Sequence, residues 1–301
     1  MIELTLRFFR RTFKDFPMRT SYRFYGFILL SLYWSAWNPS AHLQAADVQY
    51  PLAVAVDPQG VIYLADRNLP GIWRIKDGQR DLYFEGSKKF KTPLNAVRCL
   101  AIDAQGQLLA GDSSTREVFR FDSDRKPQPL TKGGIGIAMA LAVDKAGNLF
   151  IADLETHRIM KSPAAGGELV EFAKVPAPRG LTIDAEDRLW VVSHGKDQLL
   201  RLTRDAKVEV IVSGSPFMFP HHIVLDKEQN AYVADGYAKA IWKIGADKKP
   251  VKYASGDPLS NPVGLAWQGE ALLVVDPRAK DFLYAVDAAG KLTPVPMAAA
   301  K

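Results

Sequence analysis

Six passages of this 301-residue chain repeat one another, and no other feature limits its fold as tightly. Residues 52–66 read LAVAVDPQGVIYLAD, 98–112 RCLAIDAQGQLLAGD and 139–153 MALAVDKAGNLFIAD. Residues 179–193 read RGLTIDAEDRLWVVS and 221–235 HHIVLDKEQNAYVAD; 263–276 read VGLAWQGEALLVVD, one residue shorter in its turn. An aspartate recurs at the centre as Asp57, Asp103, Asp144, Asp184 and Asp226, at intervals of 46, 41, 40 and 42 residues. Gln268 takes that place 42 residues further on. A unit of this length cannot bury its own apolar surface, so the copies must stack on one another.

Each unit predicts β-structure. An apolar run interleaved with small residues reads as a buried strand. A polar turn such as Asp-Pro-Gln-Gly follows, then a second apolar strand. Third strands are predicted at 72–75 (IWRI), 118–121 (VFRF), 199–202 (LLRL) and 241–244 (IWKI), with outer strands such as 169–172 and 208–212. Four strands per period match the blade of a β-propeller. The expected fold is therefore all-β, a six-bladed β-propeller of four-stranded antiparallel blades over residues 47–301. The sixth copy has its own third and fourth strands at 282–286 and 291–295, so the ring is expected to close without an exchanged strand. Residues 47–50 could add to an edge.

The turn Asp57-Pro58-Gln59-Gly60 running into VIYLAD, the run GNLFIAD at 147–153, and Thr156-His157-Arg158-Ile159 resemble the NHL repeat, over residues 51–296. The resemblance implies the propeller and leaves function open, because this propeller type hosts binding modules and several enzymes.

What recurs in every blade is architecture. The aspartates that end the second strands (Asp66, Asp112, Asp153, Asp235, Asp276) are expected to accept backbone N–H groups in the following turn. The basic residues of the third strands (Arg74, Arg120, Lys161, Arg201, Lys243) read as a solvated stripe. His157, in the repeating Thr-His-Arg-Ile stretch, reads as structural. Cys99, the only cysteine, reads as a small buried side chain. Function belongs where the pattern breaks. The residue five before each turn aspartate lies at one mouth of the channel: Leu52, Arg98, Met139, Arg179, His221 and Val263. In the fourth and fifth blades Ser193-His194 replaces the aspartate, and His221-His222 opens the next copy. Arg98, Arg179, His194, His221 and His222 are the candidate ligand-binding residues, because guanidinium forks and imidazoles suit a carboxylate, a phosphate or a sulfated sugar. Phe217, Met218 and Phe219 would form an apolar wall.

Three enzyme families on this scaffold bear comparison. Peptidyl-amidoglycolate lyase-like propellers carry zinc-binding histidines at the mouth position of three blades. Phe219-Pro220-His221-His222-Ile223 is similar to that pattern once, and His221 is the only match, since Arg98 and Arg179 occupy the equivalent positions. The gluconolactonase-like family carries Glu-Gly-Pro, Pro-Asn-Gly and a further aspartate around a calcium-type site. The corresponding residues here are Tyr50-Pro51-Leu52, Pro178-Arg179-Gly180 and Pro262-Val263-Gly264. Streptogramin lyase-like propellers show Trp-Phe-Thr-Glu, against Trp190-Val191-Val192-Ser193 here. These resemblances imply at most a single divalent metal, zinc or calcium, without a complete ligand set. Two readings follow. One is an exported module that binds a small anion, a glycan or a protein at the channel mouth. The other is a hydrolase or lyase using His221, His222 or His194 as base, with Arg179 or Arg98 stabilising a developing oxyanion.

The net charge of +6 invites a nucleic-acid reading, but its distribution argues against one. Arg7, Arg10, Arg11, Lys14, Arg19 and Arg23, against Glu3 and Asp15, place four of the six excess charges in the first 46 residues. An uncharged apolar stretch at 27–37 follows, then small residues at 45–46. That order predicts a secretory signal over 1–46, with Met18 as an alternative start and a periplasmic or extracellular product. An uncleaved signal would instead anchor the chain, although no apolar run reaches the roughly 20 residues that span a bilayer. The remaining chain carries no long basic run, no phosphate-cradling glycine loop and no nucleophile elbow.

Overall fold

A computed structural model describes residues 47–69, 71–89 and 92–300. The signal expected over 1–46, with Met18, lies outside the described residues. The rest forms six sheets, each built on four antiparallel strands, with no helix among the described residues. The chain is a six-bladed β-propeller. Blade one consists of Pro51–Val56, Ile62–Asp66, Gly71–Lys76 and Gln79–Glu85, paired in sequence order. The inner strands of the other blades are Val97–Ile102, Ala138–Val143, Pro178–Ile183, Pro220–Leu225 and Gly264–Gln268.

The core lies between blades. Ala53, Ala55, Ala65 and Ile72 of blade one meet Leu100, Leu108, Ala110 and Phe121 of blade two, and the same arrangement recurs around the ring. Small residues dominate the inner strands because those strands crowd the axis. A Cβ at Gly180 would stand 2.8 Å from Cα of His222 on the next inner strand, so no larger residue fits.

One local device aims the mouth residues. In the first five blades the pairing of the inner strand with the second slips by one residue, at Leu52, Arg98, Met139, Arg179 and His221. The extra residue of such a bulge is released from the ladder and its side chain is redirected. The second-strand aspartates are fully buried and saturated, as their repetition predicts. Asp66 accepts the N–H groups of Gln49 and Tyr50 before the inner strand, and of Asn68 and Leu69 in the next turn. Asp153, Asp235 and Asp276 repeat the arrangement.

The ring closes without an exchanged strand, because blade six is built from its own four strands; Ala298–Ala299 then pairs in parallel with Gln79–Glu85 on the outer edge of blade one and makes that sheet five-stranded. Arg80 fastens this strap by donating to the carbonyl of Met297 at 2.5 Å. Two expectations change. Residues 47–50 form no strand. They are held by Asp66 and by Val48, which is buried among residues of blades one and six. The basic third-strand residues are not simply solvated either. Lys161 lies over Phe150, Arg201 over Trp190 and Lys243 over Tyr232, at 5.3, 5.4 and 5.3 Å, while Arg120 pairs with Asp103 at 3.0 Å. Each cation covers an aromatic face or meets a carboxylate of its own blade.

Candidate functional site

All six mouth positions converge. Leu52, Arg98, Met139, Arg179, His221 and Val263 line one cavity of about 210 Å³. Tyr50, Arg67, His222 and Asn261 also face it, and no carboxylate does among the described residues. The cavity therefore gathers three guanidinium groups without a counter-charge in its wall.

Arg98 is held in place: its Nε donates to Oγ of Ser113 at 2.8 Å, and that hydroxyl donates to the carbonyl of Ala96 at 3.2 Å. Burial, and then the nearby charge of Arg67, lower its pKa. Arg179 has no hydrogen-bond or ion-pair partner among the described residues, and its Nε is buried without an acceptor. Its guanidinium lies 5.3 Å from the centre of the Phe219 ring. Burial and then Arg98 lower its pKa. An attraction of this kind offsets part of the desolvation of a cation but leaves its N–H groups unused. The nearest aspartates are committed elsewhere. Asp235, for example, accepts the N–H groups of Met218, Phe219 and Ala238 and the indole of Trp242.

The two adjacent histidines are neutral bases. Burial, followed by the charge of Arg179, pushes the His221 pKa down to about 4. Burial alone pushes His222 down to about 4, and its Nδ1 is buried without a partner. Gly236, just past the second strand of blade five, makes room for this pair. A Cβ there would come within 2.4 Å of Oδ1 of Asn261 and 3.1 Å of Nε2 of His221. His194 does not line the cavity. Its Nε2 stands 2.7 Å from the carbonyl of Pro220 and must carry the proton of that bond. Its ring meets the edge of Phe219 at 4.5 Å, so it steadies the aromatic wall behind Arg179.

That wall differs from the predicted one. Phe217 is buried against Trp242 in the core between blades, and Met218 is exposed. Phe219 remains, stacked at 4.5 Å on Tyr237. Sequence reasoning missed Arg67, Asn261 and Tyr237. Arg67 and Gly236 hold the same place, directly after the second-strand aspartate, as Ser113 and His194. Reading that place through all the copies would have found a second ring of mouth residues. Cys99 lies in the core with its thiol pushed up to about 12 by burial.

The residues present do not fit a zinc or calcium centre. No three His, Cys, Asp or Glu side chains come together as a ligand set among the described residues. Two guanidinium groups stand at mouth positions where further ligands would be needed, and they repel a cation.

No protein-family model matches the chain, and no curated protein matches it in sequence. Solved structures do resemble it. Virginiamycin B lyase from Staphylococcus aureus superposes with a TM-score of 0.65 at 16% identity, covering 83% of this chain and 85% of the lyase. A gluconolactonase from Xanthomonas campestris gives 0.66 at 16% identity, covering 77% and 84%. A chain of the nidogen/laminin complex gives 0.64 at 16% identity, covering 81% and 92%. What they share with this chain is the fold. At this identity the likeness carries the propeller and no residue roles, and these neighbours include both enzymes and a protein-binding module. No helix among the described residues is long and apolar enough to cross a membrane.

Proposed function

We propose that this chain is an exported binding module whose channel mouth captures a small anion: a carboxylate, a phosphate or a sulfate ester. The observation that carries the reading is the set Arg67, Arg98 and Arg179 around one cavity with no carboxylate in its wall. Half-buried guanidinium groups that share a site repel one another, and both Arg98 and Arg179 have lowered pKa values. An oxyanion relieves that repulsion and accepts the unused N–H groups in bidentate geometry. The volume lies below the roughly 300–1,000 Å³ of sites for drug-sized ligands, which suits a small anion or one acidic sugar residue. Export rests on the order of the first 46 residues, basic, then apolar, then small.

Calorimetric titration of the purified chain with sulfate, phosphate and glucuronate tests the reading. Binding by at least one, weakened at least about tenfold in Arg98→Met and in Arg179→Met, supports it. No heat from any of the three overturns it.

A second reading is a lyase or a lactone hydrolase. It is favoured by His221, an imidazole kept neutral beside Arg179 and free of hydrogen bonds to other described residues. A neutral imidazole can take a proton while the guanidinium stabilises the oxyanion that forms. The lyase and lactonase among the structural neighbours bear on it as propellers only. Turnover of a lactone or ester panel that disappears in His221→Ala would establish this reading in place of simple capture.

A further inference from the structure

A second hollow, of about 430 Å³, opens between blades five and six on the face opposite the channel mouth. Its walls are aromatic. Tyr232 meets Tyr253 and Trp267 edge to face at 5.0 and 5.3 Å, and Tyr253 and Trp267 are only half-buried. Its rim is charged but matched. Lys227 of blade five pairs across the groove with Glu270 of blade six, and Lys243 lies 3.9 Å from Asp226. Glu228 adds one free carboxylate to the lining.

Breaks in the repeat produce this groove. In the other blades a five-residue turn built on the aspartate follows the inner strand. In blade six Gln268 pairs directly with Ala271, which leaves a two-residue turn, Gly269-Glu270, and less chain to fill the space beside Trp267. The groove between blades one and two has the same build, with Tyr63, Arg74 and Tyr83 in the places of Tyr232, Lys243 and Tyr253. There, however, Arg125 lies 5.2 Å from the centre of the Tyr83 ring and 3.6 Å from Asp81. The aromatic face is already occupied. The equivalent of Arg125 in blade six is Gly290, at the same left-handed turn position, so the cation that covers Tyr83 has no counterpart from this turn over Tyr253.

We infer that the groove between blades five and six is a saccharide-binding site. The charge pattern selects the ligand. The mouth gathers unpaired cations and so suits an anion, whereas both lysines of the groove are matched by carboxylates, and an anion would have to break a pair. A neutral pyranose needs no counter-charge. Its apolar ring face would lie on Tyr253 and Trp267, and its hydroxyls would bond Glu228, Glu270 and the lysines, since Asp226 is committed to Asn230 and Tyr232. Apolar walls with a few placed polar groups, at a volume within the usual range of ligand sites, are what such recognition requires. The inference does not depend on the anion reading, because the two sites share no residue.

The test is calorimetric titration of the full chain with glucose, galactose, mannose, N-acetylglucosamine and cellobiose. At least one is expected to bind with a Kd in the millimolar range or tighter. That affinity should fall at least about tenfold in Trp267→Ala, and about fivefold in Glu270→Gln, which removes one charge at an exposed position and leaves the core intact. Absence of heat for all five at about 50 mM would overturn the inference. Binding that persists unchanged in Glu270→Gln and in Tyr253→Ala, which removes a stacking ring, would overturn it as well, whichever way Trp267→Ala folds.

Discussion

The backbone N–H of Ala177 donates to Nδ1 of His157 at 2.8 Å. The acceptor belongs to blade three, and the donor precedes the inner strand of blade four. In the other blades this donor position is served by the buried aspartate at the end of the second strand. Blade four has Ser193 there, and the preceding residue, Pro176, has no N–H to offer. His157 thus replaces one aspartate contact, and Pro176 removes the need for another. His157 also sits at φ 56°, a conformation that asparagine tolerates better than alanine. His157→Asn should cost about 1 kcal/mol and His157→Ala more, measured by urea unfolding.

Ser193 is itself committed. Its Oγ donates to the carbonyl of Pro176 at 2.6 Å and accepts the N–H of Gly195 at 2.9 Å. Restoring the repeat by Ser193→Asp would bury a carboxylate that lacks two of its usual donors, because Pro176 has no N–H and that of Ala177 is taken by His157. We expect a loss of about 3 kcal/mol or more, visible as a lower urea midpoint, although the change makes the blade resemble its neighbours. A neutral or stabilising result would refute this account of blade four.

Arg179 separates stability from function. Its charge is half-buried beside Arg98, with only the Phe219 face to attract it. Arg179→Met should leave the unfolding free energy within about 1 kcal/mol of the parent chain, because lost cation–π attraction and relieved desolvation oppose each other. Sulfate binding should nevertheless fall at least about tenfold. A large loss of stability would make Arg179 a structural residue instead.

Acid should weaken the fold through His221 and His222. Their unfolded pKa is near 6.5 and both lie near 4 in the folded chain. Between these values the unfolded chain binds more protons, so stability is full above about pH 6.5 and declines as the pH falls toward 4, by up to about 1.4 kcal/mol per unit for each ring. Arg179, His194, Asp235 and His222 surround His221, and only Asp235 favours its charged form. Asp153 and Asp184, whose pKa values are lowered despite burial, add their loss at still lower pH. Urea unfolding at pH 7.5, 6 and 5 should show this slope, and His222→Asn should reduce it. An unchanged slope in that variant would mean that the ring is not buried as described.

Cys99 should be inert in the native chain. Its thiol is buried, its pKa stands near 12, and its Sγ lies 3.5 Å from the carbonyl of Ala138. An aromatic disulfide reagent should label it only after denaturant is added, at the rate of global unfolding. Rapid labelling at neutral pH would contradict the packing between blades two and three.

The sequence by itself determined the ring. A four-strand unit repeated six times, with alternating small and apolar residues, admits little else, because each sheet must bury two faces against like neighbours. It also picked out Arg98, Arg179 and His221, since the mouth position holds the same place in every copy. The tertiary structure alone decided what those residues can do. The bulges turn them inward. Arg67 and Asn261, far apart in the chain, reach the same cavity from blade one and the segment leading into blade six. His194 is turned to a backbone carbonyl, and Phe217 is drawn into the core. The added edge strand Ala298–Ala299 was equally hidden, because a two-residue parallel pairing has no periodicity to read. Repetition records which strands pair within a blade. Charge balance and desolvation depend on which blades face one another across the axis, and only the closed ring sets that.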